Sequence, residues 1–414
     1  MQKQPVHTVV GGAHLFRRDT AARLGRIAGR YLDRYAPDPA TLREALGNRL
    51  PPGTAEAVRR RVRAKLDREP VECFLIDFED GFGVRSEAEE DEAAATAARE
   101  VAAGAAADSL PPSLGIRIKS LDEITGGRAL RTLELFLATF ARSGSDLPDG
   151  FTVLLPKIIA AWQVERLSEA LSRLETTLGL PEEGVAIDLM IETPQSLVAP
   201  DGRIAVPELV TAAGGRCRTV HLGAYDLTGA VAVAAEDQTL GHPLCDVARQ
   251  LLQLSLAGSG VQLSDGATNV LPVEPHRGET ALSPAERVEN MAVVHRAWRL
   301  HYSDVRRSLS QGFHQSWDLH PAQLVSRFSA VFSFFLEGLD TAATRLDRFV
   351  TAAGQAVLTG SVFDDEASGQ GLLNFFLRGL ASGALTAEEA ARSGLTAAEL
   401  ETRSFRAILE RRRG

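Results

Sequence analysis

Cysteine is scarce in this sequence: Cys73, Cys217 and Cys245 are the only three in 414 residues, and no two share a CxxC spacing. That excludes a disulfide framework and a zinc knuckle. No apolar run reaches the roughly 18 residues of a membrane-spanning helix. The first residues, MQKQPVHTVVGGAHLFRRD, lack a secretory apolar core with a cleavage site. A cytoplasmic protein without a membrane partner is expected. Excess positive charge is also missing, with 45 basic against 54 acidic side chains and a net charge of −9. This argues against nucleic acid as a partner, since a globally basic surface is excluded. Lysine is rarest of the charged types, confined to Lys3, Lys65, Lys119 and Lys157, so a lysine at a strand end is informative. No P-loop, GxSxG or HExxH occurs, which argues against a standard NTPase, serine hydrolase or zincin.

What is present is an ordinary globular composition, 44% hydrophobic and 24% charged. Short β-branched runs alternate with helical stretches, the pattern of a parallel sheet with crossover helices. Strands are expected at 7–10, 72–78, 114–119, 152–156, 185–191, 219–222, 260–263 and 312–317. Between them, Val164, Leu167, Leu171, Leu174 and Leu178 step by three or four and predict an amphipathic helix. Ser86 followed by Glu89 reads as a capping box opening a helix over 87–107. Eight strands mostly followed by helices predict an α/β fold, a TIM (β/α)8 barrel over 1–325, with a helical insert at about 18–68 after the first strand. Residues 326–414 read as a helical C-terminal extension packed at one end of the barrel.

Barrel chemistry sits where strands end, and here consecutive strand ends carry ionisable groups. They are Asp77-Phe-Glu79-Asp80, Arg117 with Lys119, Lys157, Glu192, Asp226, Asp265 and Asp318-Leu-His320. Glu192 and Asp226 are one βα unit apart, so they emerge from neighbouring strands about 5 Å apart. Such a carboxylate pair suits one Mg²⁺ or Mn²⁺. The alternative is that each acid caps the helix after it. Arg117 and Lys119 alternate with Ile116 and Ile118, so both are expected to face the lumen. A cation there needs an anionic partner, either a carboxylate of the second strand or a substrate. The stretch Gly81-Phe-Gly83-Val-Arg-Ser86 falls short of a dinucleotide fingerprint and follows three acids, so that reading is discounted.

The segments Phe74-Leu-Ile-Asp-Phe-Glu-Asp80, Gly115-Ile-Arg-Ile-Lys119, Leu154-Leu-Pro-Lys157, Met190-Ile-Glu-Thr193, Leu222-Gly-Ala-Tyr-Asp-Leu227 and Leu319-His-Pro-Ala-Gln323 come in the order of a known set. They resemble the motifs of the HpcH/HpaI aldolase and citrate lyase β-subunit superfamily, with its malyl-CoA lyase and malate synthase relatives. The resemblance implies a Mg²⁺- or Mn²⁺-dependent carbon–carbon lyase or aldolase acting on a small 2-oxo or 2-hydroxy acid. It implies Glu192 and Asp226 as metal ligands and Arg117 facing the substrate carbonyl. It places Asp77, Glu79 and Asp80 beside that arginine, with Lys157 near the same pocket; His320, at the end of the last strand, is a candidate substrate-binding residue, the alternative being a buried, hydrogen-bonded histidine. Asp365, or less securely Asp364, stands where a malate-synthase-like enzyme carries its catalytic carboxylate. A coenzyme A thioester substrate, a malate-synthase-like condensation of acetyl-CoA with glyoxylate, and a homo-oligomer stay open. A non-catalytic barrel that binds an organic acid is the rival from another class.

Overall fold

The computed structural model describes residues 3–278, 282–351, 357–359, 362–364 and 366–413. Eight parallel strands close into a barrel in chain order: β1 (His7–Gly12), β2 (Cys73–Asp77), β3 (Ser113–Arg117), β4 (Thr152–Leu155), β5 (Ala186–Ile191), β6 (Cys217–Leu222), β7 (Gln262–Ala267) and β8 (Gln315–Asp318), with β8 pairing back onto β1. The TIM barrel is therefore the fold. All eight expected strands exist, each shifted at its ends by up to a few residues.

The insert after β1 folds as α1 (Thr20–Tyr35), α2 (Pro39–Ala45) and α3 (Pro52–Arg68). The other helices of the barrel are α4 (Glu87–Ala106), α5 (Gly126–Ala141), α6 (Ala161–Leu178), α7 (Pro194–Leu197), α8 (Val206–Ala212), α9 (Ala224–Ala230), α10 (Pro243–Leu256) and α11 (Pro284–Ser310). Ser86 and Glu89 form the capping box of α4, satisfying two orphan amides at its N-terminus. Val164, Leu167 and Leu171 bury the inner stripe of α6 against the sheet.

Neighbouring residues of a parallel ladder point to the same side, so the register defines the lumen. Val10 pairs with Leu75, Leu75 with Gly115, Gly12 with Asp77, and Asp77 with Arg117. Leu75, Leu154, Met190 and Trp317, with Val10 and Ala267 against them, form an apolar plug inside the barrel, separate from the core under the helices. Above that plug, the next residues facing inward are Asp77, Arg117 and Glu192. Burial below and charge above follow from the same two-residue period.

Beyond β8, α12 (Gln323–Thr351) is followed by a hairpin of β9 (Val357–Thr359) and β10 (Val362–Asp364), then α13 (Glu366–Ala381), α14 (Ala387–Ala391), α15 (Ala397–Thr402) and α16 (Phe405–Arg413). His314, just before β8, stacks on Phe335, so α12 has descended the barrel wall by that residue. Its last 16 residues continue for about 24 Å at 1.5 Å each. Arg378 of α13 reaches Gln4, which precedes β1, at 2.6 Å. The extension thus packs beneath the entry ends of the strands, opposite the mouth. No helix among the described residues is long and apolar enough to cross a membrane.

Candidate active site at the barrel mouth

A cavity of about 760 Å³ opens at the C-terminal ends of the strands, with Met190 and Trp317 on its floor. Asp77, Asp80, Arg117, Glu192, Asp226 and His320 line it.

Asp77 is fully buried. Its Oδ1 accepts from Arg117 Nε at 2.7 Å and from the Glu79 amide at 2.9 Å; Oδ2 accepts from Arg117 Nη2 at 2.5 Å and the Gly81 amide at 2.7 Å. With both oxygens engaged twice, Asp77 is built to aim Arg117 rather than to exchange protons. A Cβ on Gly81 would stand 2.5 Å from Asp77 Oδ2, so only glycine lets the turn close over it. Arg117 Nη1 lies 3.0 Å from Glu79 and 3.4 Å from Asp80, and its guanidinium sits 5.8 Å from the centre of the Trp317 ring.

Glu192 follows β5 directly and is buried. Its Oε1 accepts the backbone N–H of Lys157 at 2.8 Å. Lys157 adopts a left-handed backbone with φ 52°, a conformation that costs a non-glycine residue about 1 kcal/mol or more. Its ammonium lies 2.6 Å from Asp226 Oδ1, 3.8 Å from Glu192 Oε1 and 4.0 Å from Asp80 Oδ2. Glu192 and Asp226 therefore face one point, held here by a cation. Neither acid is a helix cap: Thr193 caps α7 through its side chain, and α9 has no side-chain cap. Gly223 makes the approach of β6 to Glu192 feasible, because a Cβ there would fall 2.3 Å from Glu192 Cβ.

The charge balance of this cluster is uneven. Among the described residues, Asp77, Glu79, Asp80, Glu192 and Asp226 pair only with Arg117 and Lys157. Burial first, and then the charges of Asp226 and Glu79 working against Lys157, push Glu192 up to about 8. Burial and the hydrogen-bonded Asp80 raise Glu79 to about 7. Against its own burial, the bond to Glu79 and the Arg117 charge hold Asp80 below the usual carboxylate range. A divalent ion beside Glu192 and Asp226 would relieve this excess of negative charge. Among the described residues no group of three or more His, Cys, Asp or Glu could hold a metal. A carboxylate pair with open space beside it fits Mg²⁺ or Mn²⁺, which keep water and substrate in their remaining positions, and does not fit a closed protein cage.

The other expected site residues separate. His320 lines the cavity near Tyr31, its Nδ1 accepting the Ala322 amide at 3.2 Å; burial, helped by Arg277, lowers it to about 4, so the ring is neutral. Lys119 does not face the lumen: it lies beyond the last residue of β3 and binds Phe78 O at 2.8 Å and Glu90 at 2.7 Å, tying α4 to the barrel. Asp265 lies mid-strand and turns outward to Arg249 and Ser308. Asp318 likewise points outward to His7, His301 and Arg327. Asp365 lies outside the described residues, and of Asp364 only the backbone, at the end of β10, is described. What the sequence did not reveal is the contribution of the insert, whose α1 walls one side of the cavity through Leu24 and Ile27. Their spacing with Thr20 was the available signal.

A family described as a domain of unknown function, DUF6986, matches residues 1–408. The chain belongs to the DUF6986 family. No curated protein sequence matches it. Among solved structures, a citrate lyase from Burkholderia xenovorans LB400 is similar with a TM-score of 0.56 and 19% identity, over 81% of this chain and 92% of the other. A Haloferax volcanii malate synthase, crystallised with glyoxylate, gives 0.51 and 13% identity over 95% and 97%. At these identities the likeness is one of fold. It agrees with the resemblance read from the strand-end motifs.

Proposed function

We propose that this DUF6986 protein is a divalent-metal-dependent carbon–carbon lyase or aldolase acting on a 2-oxo or 2-hydroxy acid. The observation that carries the reading is the convergence of Glu192 and Asp226 on one cationic point beside Arg117 in an open cavity. Mg²⁺ or Mn²⁺ would be held by that pair and, when bound, would supply Lewis-acid polarisation of the acid's carbonyl. The chain's own groups do the rest. Arg117, fixed by Asp77, would offer its second Nη2 N–H to the oxygen on which negative charge grows. Lys157 supplies a second positive charge at the rim. In cleavage of a 4-hydroxy-2-oxo acid, the hydroxyl proton passes to a carboxylate and the C3–C4 bond breaks. Its electron pair moves to C3 and the neighbouring carbonyl as an enolate, and C3 then takes a proton. Condensation is the reverse.

Glu79, 3.0 Å from Arg117 Nη1, raised to about 7 and hydrogen-bonded to Asp80, which lines the cavity, is the group of this chain proposed to carry that proton. The role expected for Asp365 is proposed for a second copy of the chain, since α12 leads the extension away from its own mouth. A second reading is acyl-CoA condensation with glyoxylate, in keeping with a fold that matches the malate synthase over 95% of this chain.

The test is a mass-spectrometric panel of pyruvate and glyoxylate with aldehydes and acyl-CoA thioesters, with Mg²⁺ or with chelator. Metal-dependent carbon–carbon bond formation supports the reading. Ligand-induced thermal shifts with no conversion in any pairing would favour a binding protein instead.

A further inference from the structure

The cavity is larger than the acid it is proposed to hold. Pyruvate has six heavy atoms; even at the roughly 30 Å³ that a liquid water occupies, each counted so, it fills under about 200 Å³. The charged groups occupy one wall, and the remaining space lies between α1 and the loop after β8. Two stripes run along α1. Gly25, Ala28, Gly29 and Leu32 are buried against the core, and the approach is close: a Cβ on Gly25 would meet Leu66 O at 2.8 Å. That contact fixes the second stripe, Thr20, Arg23, Leu24 and Ile27, at the i, i+3, i+4, i+7 spacing of one helical face, on the cavity. Leu319 and Pro321 face it from the other side. Leu24 and Ile27 are half-buried and Leu319 is 37% exposed, so this apolar surface lacks cover among the described residues. Arg23, itself exposed, is the one cation among the described residues lining this arm; Arg277, which acts on His320 from beyond the lining, is opposed there by Glu274, and His320 is neutral.

We propose that the arm between α1 and Leu319–Pro321 binds an uncharged hydrocarbon substituent, so that the substrate is a 2-oxo or 2-hydroxy acid carrying a bulky apolar tail. This rests on the function proposed above and specifies its substrate class. An acidic or phosphorylated tail would bury its charge against leucine, isoleucine and proline with one solvated arginine at hand, which is unfavourable. A phenyl or branched alkyl tail removes that apolar surface from water at no such cost.

The experiment is calorimetric titration of the full chain, in Mg²⁺, with 2-oxobutanoate, 2-oxo-4-phenylbutanoate and 2-oxoglutarate. The phenyl acid is expected to bind at least about tenfold more tightly than 2-oxobutanoate, the discrimination a filled apolar pocket supplies, and 2-oxoglutarate to gain nothing. Leu24→Asp should bring the two uncharged-tail acids within about threefold of each other. Ile27→Trp, which fills the arm, should do the same without burying a charge. Equal binding of all three acids, tightest binding of 2-oxoglutarate, or a phenyl preference that survives both substitutions overturns the arm and leaves the acid site standing. Binding of none of them overturns the acid site and the arm with it.

Discussion

The ammonium of Lys157 stands 2.6 Å from Asp226 Oδ1, in the gap between that carboxylate and Glu192. It marks where the site's electrostatics call for positive charge. The strained backbone of Lys157 serves the same end, turning its N–H onto Glu192 while its side chain reaches the neighbouring strand end. A metal ion entering the pair must displace this ammonium. Lys157→Met is therefore expected to tighten Mn²⁺ binding and to lower turnover, measured by calorimetry and steady-state kinetics on one preparation. Weaker Mn²⁺ binding in the variant would mean that Lys157 supports the ion rather than standing in for it.

Arg117 is expected to act through its fork. Arg117→Lys keeps the charge but cannot bond both oxygens of Asp77 in parallel, and kcat should fall about 10²–10³-fold, as for loss of an oxyanion donor. Asp77→Asn should cost about 3 kcal/mol in urea unfolding, because it weakens a buried ion pair. Full activity in Arg117→Lys would remove the arginine from the chemistry.

Gly223→Ala tests the close approach of β6 to Glu192. A methyl group there would lie 2.3 Å from Glu192 Cβ and 2.7 Å from its Oε2. The carboxylate must move, and Mg²⁺ affinity should drop about 10- to 100-fold, as when a ligand's supporting contact is lost. Gly53→Ala, with nothing within 4 Å of the added carbon, is the control and should change nothing.

The pH dependence of metal binding follows from Glu192. Its carboxyl, raised to about 8, must lose a proton to ligate. Affinity should therefore rise with pH until it levels above about 8, and below that pH binding should release up to one proton per ion. Calorimetry in buffers of different ionisation enthalpy measures that proton. An affinity flat from pH 6 to 9 would contradict the assignment.

The barrel and the convergence of Glu192 and Asp226 were legible because they depend on rules the sequence displays. Strand alternation sets which side Asp77 and Arg117 face, and a glutamate one residue past an apolar strand is placed by the strand before it. The rule ends with the ladder. β3 stops at Arg117, so extending the alternation to Lys119 assigned it to the lumen when the chain had already turned toward α4. The opposite error placed Asp265 at a rim: β7 continues to Ala267, so Asp265 is mid-strand, and the register irregularity between Ser264 and Ala267 turns it out to Arg249. Two of the four bonds that hold Asp77, from the Glu79 and Gly81 amides, come from a turn whose shape depends on Gly81, and no periodicity encodes them. The second stripe of α1 was visible as a spacing, but only its packing on α3 shows that it faces a cavity.

The most direct measurement is isothermal titration of Mn²⁺ into the wild type, Glu192→Gln and Asp226→Asn, with circular dichroism to confirm that each variant is folded. The wild type should bind one ion, and each folded variant should lose most of that affinity. Wild-type affinity retained in both would contradict the claim that these two carboxylates hold the ion.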